Sequence, residues 1–185
     1  MKHNYGALYG NVRLRPLEKD DIEKLRMWRN DTVKTRFLRQ IGEITPEMQE
    51  KWYMAYLSNP NEVFFAIDEV KELHRMVGSL ALYDFNEHVA EIGKIQIGDP
   101  EANGRGIGKI SLVMAMKIGF EQMGLKKIIA SVHQENIAAH KNDISIGFRI
   151  VGQHLSVVGG YEDEIEIDAV RLKEINSYVS EIELI

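Results

Sequence analysis

The sequence predicts a mixed α/β (α+β) fold, a mixed sheet with flanking helices, formed by a single domain over residues 1–185 with a core from about 12 to 172 and a tail from 173 to 185. Three observations carry that expectation. The chain has 185 residues, enough at that size to bury roughly 70% of its unfolded surface in one core. Hydrophobic residues make up 44% and charged residues 28%, an ordinary globular balance. The periodicity also changes style along the chain: a strand, two helices and a run of strands come first, then strands alternate with helices.

Val12-Arg13-Leu14-Arg15 alternates apolar and charged residues, as a half-buried strand does, and Pro16 ends it. From Lys19 the spacing turns helical, with Ile22, Leu25 and Met27/Trp28 on one stripe. A second helix starts at Thr45-Pro46-Glu47: Thr45 can cap, Pro46 is tolerated at the first position and Glu47 suits the helix dipole. Ser58-Asn59-Pro60-Asn61 breaks it. Strands at 63–67, 76–83 and 89–98 then form an antiparallel meander. The apolar stretch from Ile107 to Met123 is too long for a strand and contains no proline, so it predicts a buried helix, stopped by Gly124. A strand at 127–132, a short helix at 136–145 and strands at 147–157 and 164–172 follow. Ile175, Tyr178, Val179 and Ile182 recur at helical spacing in the tail, a stripe that suggests a partner surface on a monomer or homodimer.

Composition removes several function classes. With no cysteine, there is no disulfide scaffold, thiolate metal site, Fe–S cluster or cysteine nucleophile, and no metal site is expected. A net charge of −5 with pI near 5.7 disfavours a dedicated nucleic-acid binder. No apolar run approaches the roughly 18–20 residues of a membrane span, and the polar stretch from Met1 to Gly10 has no signal-peptide core. The expectation is a cytoplasmic protein without nucleic-acid or membrane partners.

Asn103-Gly104-Arg105-Gly106-Ile107-Gly108-Lys109 is the most informative stretch. Three glycines in five positions between a strand and a buried helix are costly unless the backbone must approach a ligand closely or simply needs a flexible connection. Successive N–H groups at a helix start form an anion site, and a pyrophosphate suits it. A Walker loop is excluded, because Asn103 stands where its first glycine belongs and Ile110 follows Gly108-Lys109. A dinucleotide fingerprint is excluded too, since Lys109 takes the place of its third glycine.

The loop resembles the acyl-CoA loop of the GNAT superfamily of N-acetyltransferases. That pattern is Gln or Arg, two residues, Gly, one residue, then Gly or Ala. Here Asn103, Gly106 and Gly108 occupy it, with a departure at the first position. Lys94-Ile95-Gln96-Ile97-Gly98 is similar to the family's bulged strand, whose backbone holds the pantetheine arm. Ser131-Val132 leads to Asn136, and Gly147-Phe148 falls eleven and twelve residues later, as in the family's second block. Arg13-Leu14-Arg15-Pro16-Leu17 with Asp20-Asp21 resembles the opening of the RimJ/RimL- and SpeG-like branch.

The resemblance implies a GNAT fold with a splayed central sheet and direct transfer of an acetyl group from acetyl-CoA, a co-substrate, to a primary amine. The acceptor would be a small molecule (an amino sugar or polyamine) or a peptide amino terminus. It also implies acetyl-CoA contacts at Ile95, Gln96, Ile97 and Gly98, at Asn103, Gly104, Arg105, Gly106, Ile107, Gly108 and Lys109, and at Asn136.

An alkylammonium with pKa near about 10.4 must lose a proton before it attacks. Glu91, on the strand leading to the loop, is the candidate base; the other reading is a solvated carboxylate paired with a Lys or with His88. Strict alternation puts Glu91 on one face with Gly93, Ile95 and Ile97, where burial beside those isoleucines would raise its pKa. The oxyanion donor expected is the N–H of Ile97 or Gly98. Seven residues after Asn136, where many family members carry a tyrosine facing the CoA sulfur, stands Asp143. It could act as a protonated acid, act as a base, or merely bind solvent. The family's tyrosine acid is expected to be absent, with water protonating the leaving group; His133 and His140 are the other candidates.

The acceptor side is expected at Trp28-Arg29-Asn30, Arg36-Phe37, Trp52-Tyr53 and Tyr83, where aromatic and Arg groups could stack on a sugar or base and grip a phosphate. Trp28 and Trp52 could equally be core anchors. A non-catalytic acyl-CoA-binding module of the same fold is the alternative function.

Overall fold

A computed structural model of the chain describes residues 2–33, 35–37 and 42–185. Its leading strand, β2 (Val12–Pro16), buries Val12 and Leu14 fully and turns Arg13 outward. A further strand, β1 (Ala7–Tyr9), not expected from the periodicity, pairs antiparallel with β2 across a turn at Gly10 (φ 62°). Helix α1 (Ile22–Arg29) and helix α2 (Pro46–Ser58) follow; the Thr45 hydroxyl accepts the Met48 N–H at 3.3 Å, as the capping pattern expects. β3 (Glu62–Glu69), β4 (Arg75–Asn86) and β5 (Val89–Ile97) form the antiparallel meander.

Helix α3 (Ile107–Glu121) is buried without interruption from Ser111 to Gly119, which explains why its sequence is apolar on most faces. After it come β6 (Lys127–His133), α4 (Ile137–Ser145), β7 (Arg149–Leu155), β8 (Tyr161–Asp168), α5 (Ala169–Ile175) and β9 (Glu183–Leu184). The strand order is β7-β8-β6-β5-β4-β3-β2-β1-β9. Among the described residues no helix is long and apolar enough to cross a membrane.

Two expectations for the carboxyl-terminal part are corrected. The strand expected at 164–172 lies at 161–168, because the Asp168 side chain accepts the Arg171 N–H at 2.8 Å and starts α5 there. The apolar tail stripe turns mostly inward, with Ile175 left exposed. Val179 and Ile182 are buried in the chain's own core, and the buried Lys117 of α3 donates to the Val179 carbonyl at 2.9 Å. Beyond them, β9 pairs with β1.

The sheet carries a core on each face. Leu14, Phe65, Ile67, Leu80 and Leu82 pack with α3 residues such as Met114 and Ile118 on one side. On the other, Phe64, Ala66 and Met76 pack with Leu25 of α1 and Tyr53 and Tyr56 of α2.

Two irregularities prepare a site between these layers. β5 and β6 are the parallel neighbours, yet they pair only over Val89–Glu91 with Lys127–Ile129. Past that point β5 and β6 run on to Ile97 and His133 without pairing to each other, so the sheet splits. β5 also bulges: Gly93 pairs with Ala81 and Gln96 with Ser79, so Lys94 and Ile95 together oppose Leu80, and Lys94 takes φ 52°.

The bulge reverses the alternation. Ala90 and Ile92 face the α3 core before it, and Ile95 and Ile97 pack on that same core after it. Glu91 therefore lies on the opposite face from Ile95 and Ile97, and the expected burial beside them does not occur.

Candidate active site

The glycine-rich turn closes the split at the start of α3. Gly104 and Gly106 both sit at φ 73°, and Gly106 is the left-handed residue from which the helix begins. A Cβ on either would meet nothing within 4 Å, so these glycines serve backbone conformation rather than space. The first helical hydrogen bond runs from the Ile110 N–H to the Gly106 carbonyl at 3.1 Å. Among the described residues, the N–H groups from Arg105 to Lys109 donate to no protein carbonyl. The helix start thus presents a cluster of donors together with the positive end of the α3 dipole. Arg105 is tied at 2.6 Å to Glu72 of the β3–β4 turn, which holds the loop from outside. Asn103 follows a short 3-10 turn and is exposed.

A cavity of about 810 Å³ runs from this helix start through the split to α1 and α2. Ile95, Gln96, Ile97 and Gly108 line one part of it, and Arg29, Trp52 and Tyr83 line another. The two candidate oxyanion donors differ. The Gly98 N–H already donates to the Val77 carbonyl at 3.0 Å. Antiparallel alternation then turns the neighbouring Ile97 N–H to the other edge of β5, toward the split.

Glu91 lines the cavity and accepts the Tyr83 O–H at 2.5 Å through Oε1. Burial, together with this carboxylate, pushes the Tyr83 phenol upward, so it stays a donor. Gly93 is needed for the pair: a Cβ there would stand 2.8 Å from the Tyr83 hydroxyl. Lys94 lies 4.4 Å over the Tyr83 ring and is ion-paired with the buried Glu62.

Across the split, Asn136 caps α4 by accepting the Ala139 N–H at 3.3 Å. Ala138, Ala139, Asn142 and Asp143 of α4 face the cavity. Burial, partly opposed by nearby His140, pushes the Asp143 carboxyl up to about 7. His140 itself is held at 2.8 Å by Asp163 of β8. The Gln134 amide and His140 keep the Asp163 carboxyl below its usual range. His133 accepts the Glu135 N–H on Nδ1, so its proton sits on Nε2 and is donated to the Gly159 carbonyl at 2.7 Å.

These features agree with the comparison with known proteins. A model of the acetyltransferase (GNAT) domain matches residues 11–149. The chain belongs to the GNAT acetyltransferase family.

An N-acetyltransferase 9-like protein of Nematostella vectensis is 28% identical over 146 residues, covering 70% of this chain and 71% of that one. The spermidine N(1)-acetyltransferase of Escherichia coli K12 is 27% identical over 145 residues, covering 77% and 75%. The crystal structure of spermidine N-acetyltransferase from Vibrio cholerae, in complex with CoA and spermine, superposes with a TM-score of 0.79 at 21% identity, covering 88% of this chain and 98% of that one. The chain is an N-acetyltransferase, and its split mixed sheet is the GNAT fold.

Within this GNAT domain the expected acceptor residues separate by position. Arg29, Phe37, Trp52 and Tyr83 reach the cavity. Trp28 and Asn30 do not line it. The Trp28 ring packs directly on Gly98, and its carbonyl accepts the Gln96 side-chain amide at 2.7 Å. Asn30 clasps both the N–H and the carbonyl of Ile44, fixing the approach to α2. Tyr53 is buried in the second core, and Arg36 sits over the Phe37 ring at 4.6 Å.

The sequence singled out neither the Glu62–Lys94 pair nor Asp163. The left-handed residue of the bulge that brings Lys94 toward Glu62 is the lysine itself rather than a glycine, and Asp163 reads as one acid among several on an alternating strand.

Proposed function

We propose that residues 1–185 act as one catalytic domain that binds acetyl-CoA and passes its acetyl group directly to a primary amine of a small molecule. One observation carries this reading: the single cavity joins the donor-rich helix start and the split to the aromatic and arginine-bearing wall of α1 and α2. A site built for direct transfer needs both substrates in one continuous space, with no protein group acylated on the way.

The residues present fit acetyl-CoA. The N–H groups between Arg105 and Lys109 would take its diphosphate, and the backbone of Ile95–Ile97 would line the arm. The co-substrate supplies an activated thioester carbonyl. Glu91, oriented by Tyr83, accepts the ammonium proton through water. The Ile97 N–H stabilises the negative charge that develops on the carbonyl oxygen. Arg29, Trp52 and Tyr83 grip an acceptor of amino-sugar or polyamine size.

Acetyl-CoA raises the melting temperature in a thermal-shift screen, and mass spectrometry of an amine panel then finds an acetylated product 42 Da heavier. Stabilisation by CoA with no product from any amine would favour the non-catalytic module. Stabilisation by ATP or a dinucleotide, and none by CoA, would overturn the loop assignment.

A further inference from the structure

We propose that Gln49 sets acceptor specificity, selecting an amine whose far end carries hydroxyl or carbonyl oxygens over one that carries a second ammonium; this rests on the acetyl-transfer reading above. The buried stripe of α2 is Gln49, Tyr53 and Tyr56, spaced about one turn apart. Tyr53 and Tyr56 fill the second core, as the inner face of a helix should. An apolar side chain would suit the first position of that stripe, yet a glutamine stands there, 7% exposed and lining the cavity. Its backbone N–H donates to the Thr45 carbonyl at 3.0 Å, but its side-chain amide has no hydrogen-bond partner among the described residues. The amide is not sealed off either: among the described residues, the fully enclosed polar side-chain atoms without a partner are on Asp68 and Ser111. A buried amide that gains nothing from the protein is free to gain from a ligand.

The wall around Gln49 is preformed. Leu25, Ile44, Trp52 and Phe64 make it largely apolar. Trp52 is fixed by stacking on Tyr56 at 5.7 Å and by an edge contact with Phe64 at 5.4 Å, and the Asn30 side chain clasps Ile44. Gln49 therefore supplies a polar anchor on an otherwise apolar surface, the usual construction of a site that fixes a small molecule's orientation.

Charge around the cavity decides what that anchor meets. Among the described lining residues, Arg29 is the one charged group that α1, α2 and their connection bring to the cavity. The carboxylates that line it, Glu91, Asp143 and Glu162, stand on β5, α4 and β8, and Lys94 is ion-paired with Glu62. The reacting ammonium thus has acids near it, whereas a second ammonium reaching the α1–α2 wall would meet a guanidinium and a neutral amide, with no carboxylate on that wall. A hydroxyl or carbonyl oxygen fits better. It accepts from the Gln49 NH₂ group, and a hydroxyl can also donate to the Gln49 carbonyl. An acceptor lacking such a group leaves the buried amide unpaired, which is how a polar pocket rejects the wrong substrate.

The test pairs the variants Gln49→Leu and Gln49→Glu with three amines: D-glucosamine, the dipeptide alanylglycine and spermidine. Wild-type kcat/KM is higher for at least one of the two oxygen-bearing amines than for spermidine. Q49L lowers that preference about tenfold, the size of one hydrogen bond, and the loss lies in KM rather than in kcat. Q49E shifts the preference toward spermidine by about tenfold or more, because a carboxylate then stands where a second ammonium can pair. The melting temperature of Q49L stays at or above wild type, since the substitution breaks no protein hydrogen bond. Spermidine as the best wild-type substrate, a Q49L preference within about twofold of wild type, or a Q49L melting temperature lower by more than about 4 °C each overturns the proposal. If no amine reacts, it is the acetyl-transfer reading that fails. Thermal shifts by the same amines with CoA present still read the preference, and the absence of a larger shift with an oxygen-bearing amine than with spermidine overturns the role of Gln49.

Discussion

Glu91→Gln lowers kcat by about 10²- to 10⁴-fold and leaves acetyl-CoA affinity within about twofold. The amide keeps the size of the side chain, and its carbonyl can still accept the Tyr83 O–H that Glu91 accepts at 2.5 Å. Packing at Gly93 is therefore undisturbed, and the lost property is the capacity to take a proton. Tyr83→Phe separates position from chemistry. It removes the donor that orients the carboxylate but leaves the base in place, so its loss is smaller, about tenfold, and rate against pH keeps the wild-type shape. Stopped-flow or steady-state kinetics across pH reads both variants. Superimposable pH–rate profiles for wild type and E91Q would place the base elsewhere.

Gly98→Ala destabilises the fold by about 2–3 kcal/mol, a large cost for one methyl group. A Cβ at Gly98 would stand 1.9 Å from Cδ2 of the Trp28 ring. The ring cannot yield cheaply, because the Trp28 carbonyl also holds the Gln96 side chain. Relief requires the end of α1 to move off β5, and with it Arg29, the next residue and part of the cavity wall. Activity should fall along with stability. In a Trp28→Ala background the same substitution costs under about 1 kcal/mol, a coupling expected of residues in contact. Urea denaturation of the four proteins in that cycle measures it, and a G98A midpoint equal to wild type would mean that Trp28 does not pack there.

Much of the fold was legible because its patterns are local. The capping set Thr45-Pro46-Glu47, the long apolar run of α3 and the glycines at 104 and 106 each express a backbone requirement that their own residue types satisfy. The end of β8 was misplaced because Val170-Arg171-Leu172 alternates locally, although out of phase with Ile165 and Ile167, and the change of phase falls at Asp168, which caps a helix. The tail stripe was real, but its destination depended on α3, more than fifty residues earlier. Strict alternation misplaced the face of Glu91: the resemblance to a bulged strand pointed to an irregularity there, but only the pairing of Gly93 with Ala81 and of Gln96 with Ser79 fixes where the phase reverses.

The sequence by itself determined the helix start, because Gly104 and Gly106 supply the two left-handed residues from which α3 begins. It also determined the family. The tertiary structure alone decided which carboxyl faces which. The reversal of β5, the parting of β5 from β6 and the placing of Asp143 on the cavity wall arise from pairing and packing between segments far apart in the chain. A side chain's proton affinity is set by those surroundings rather than by its neighbours in sequence.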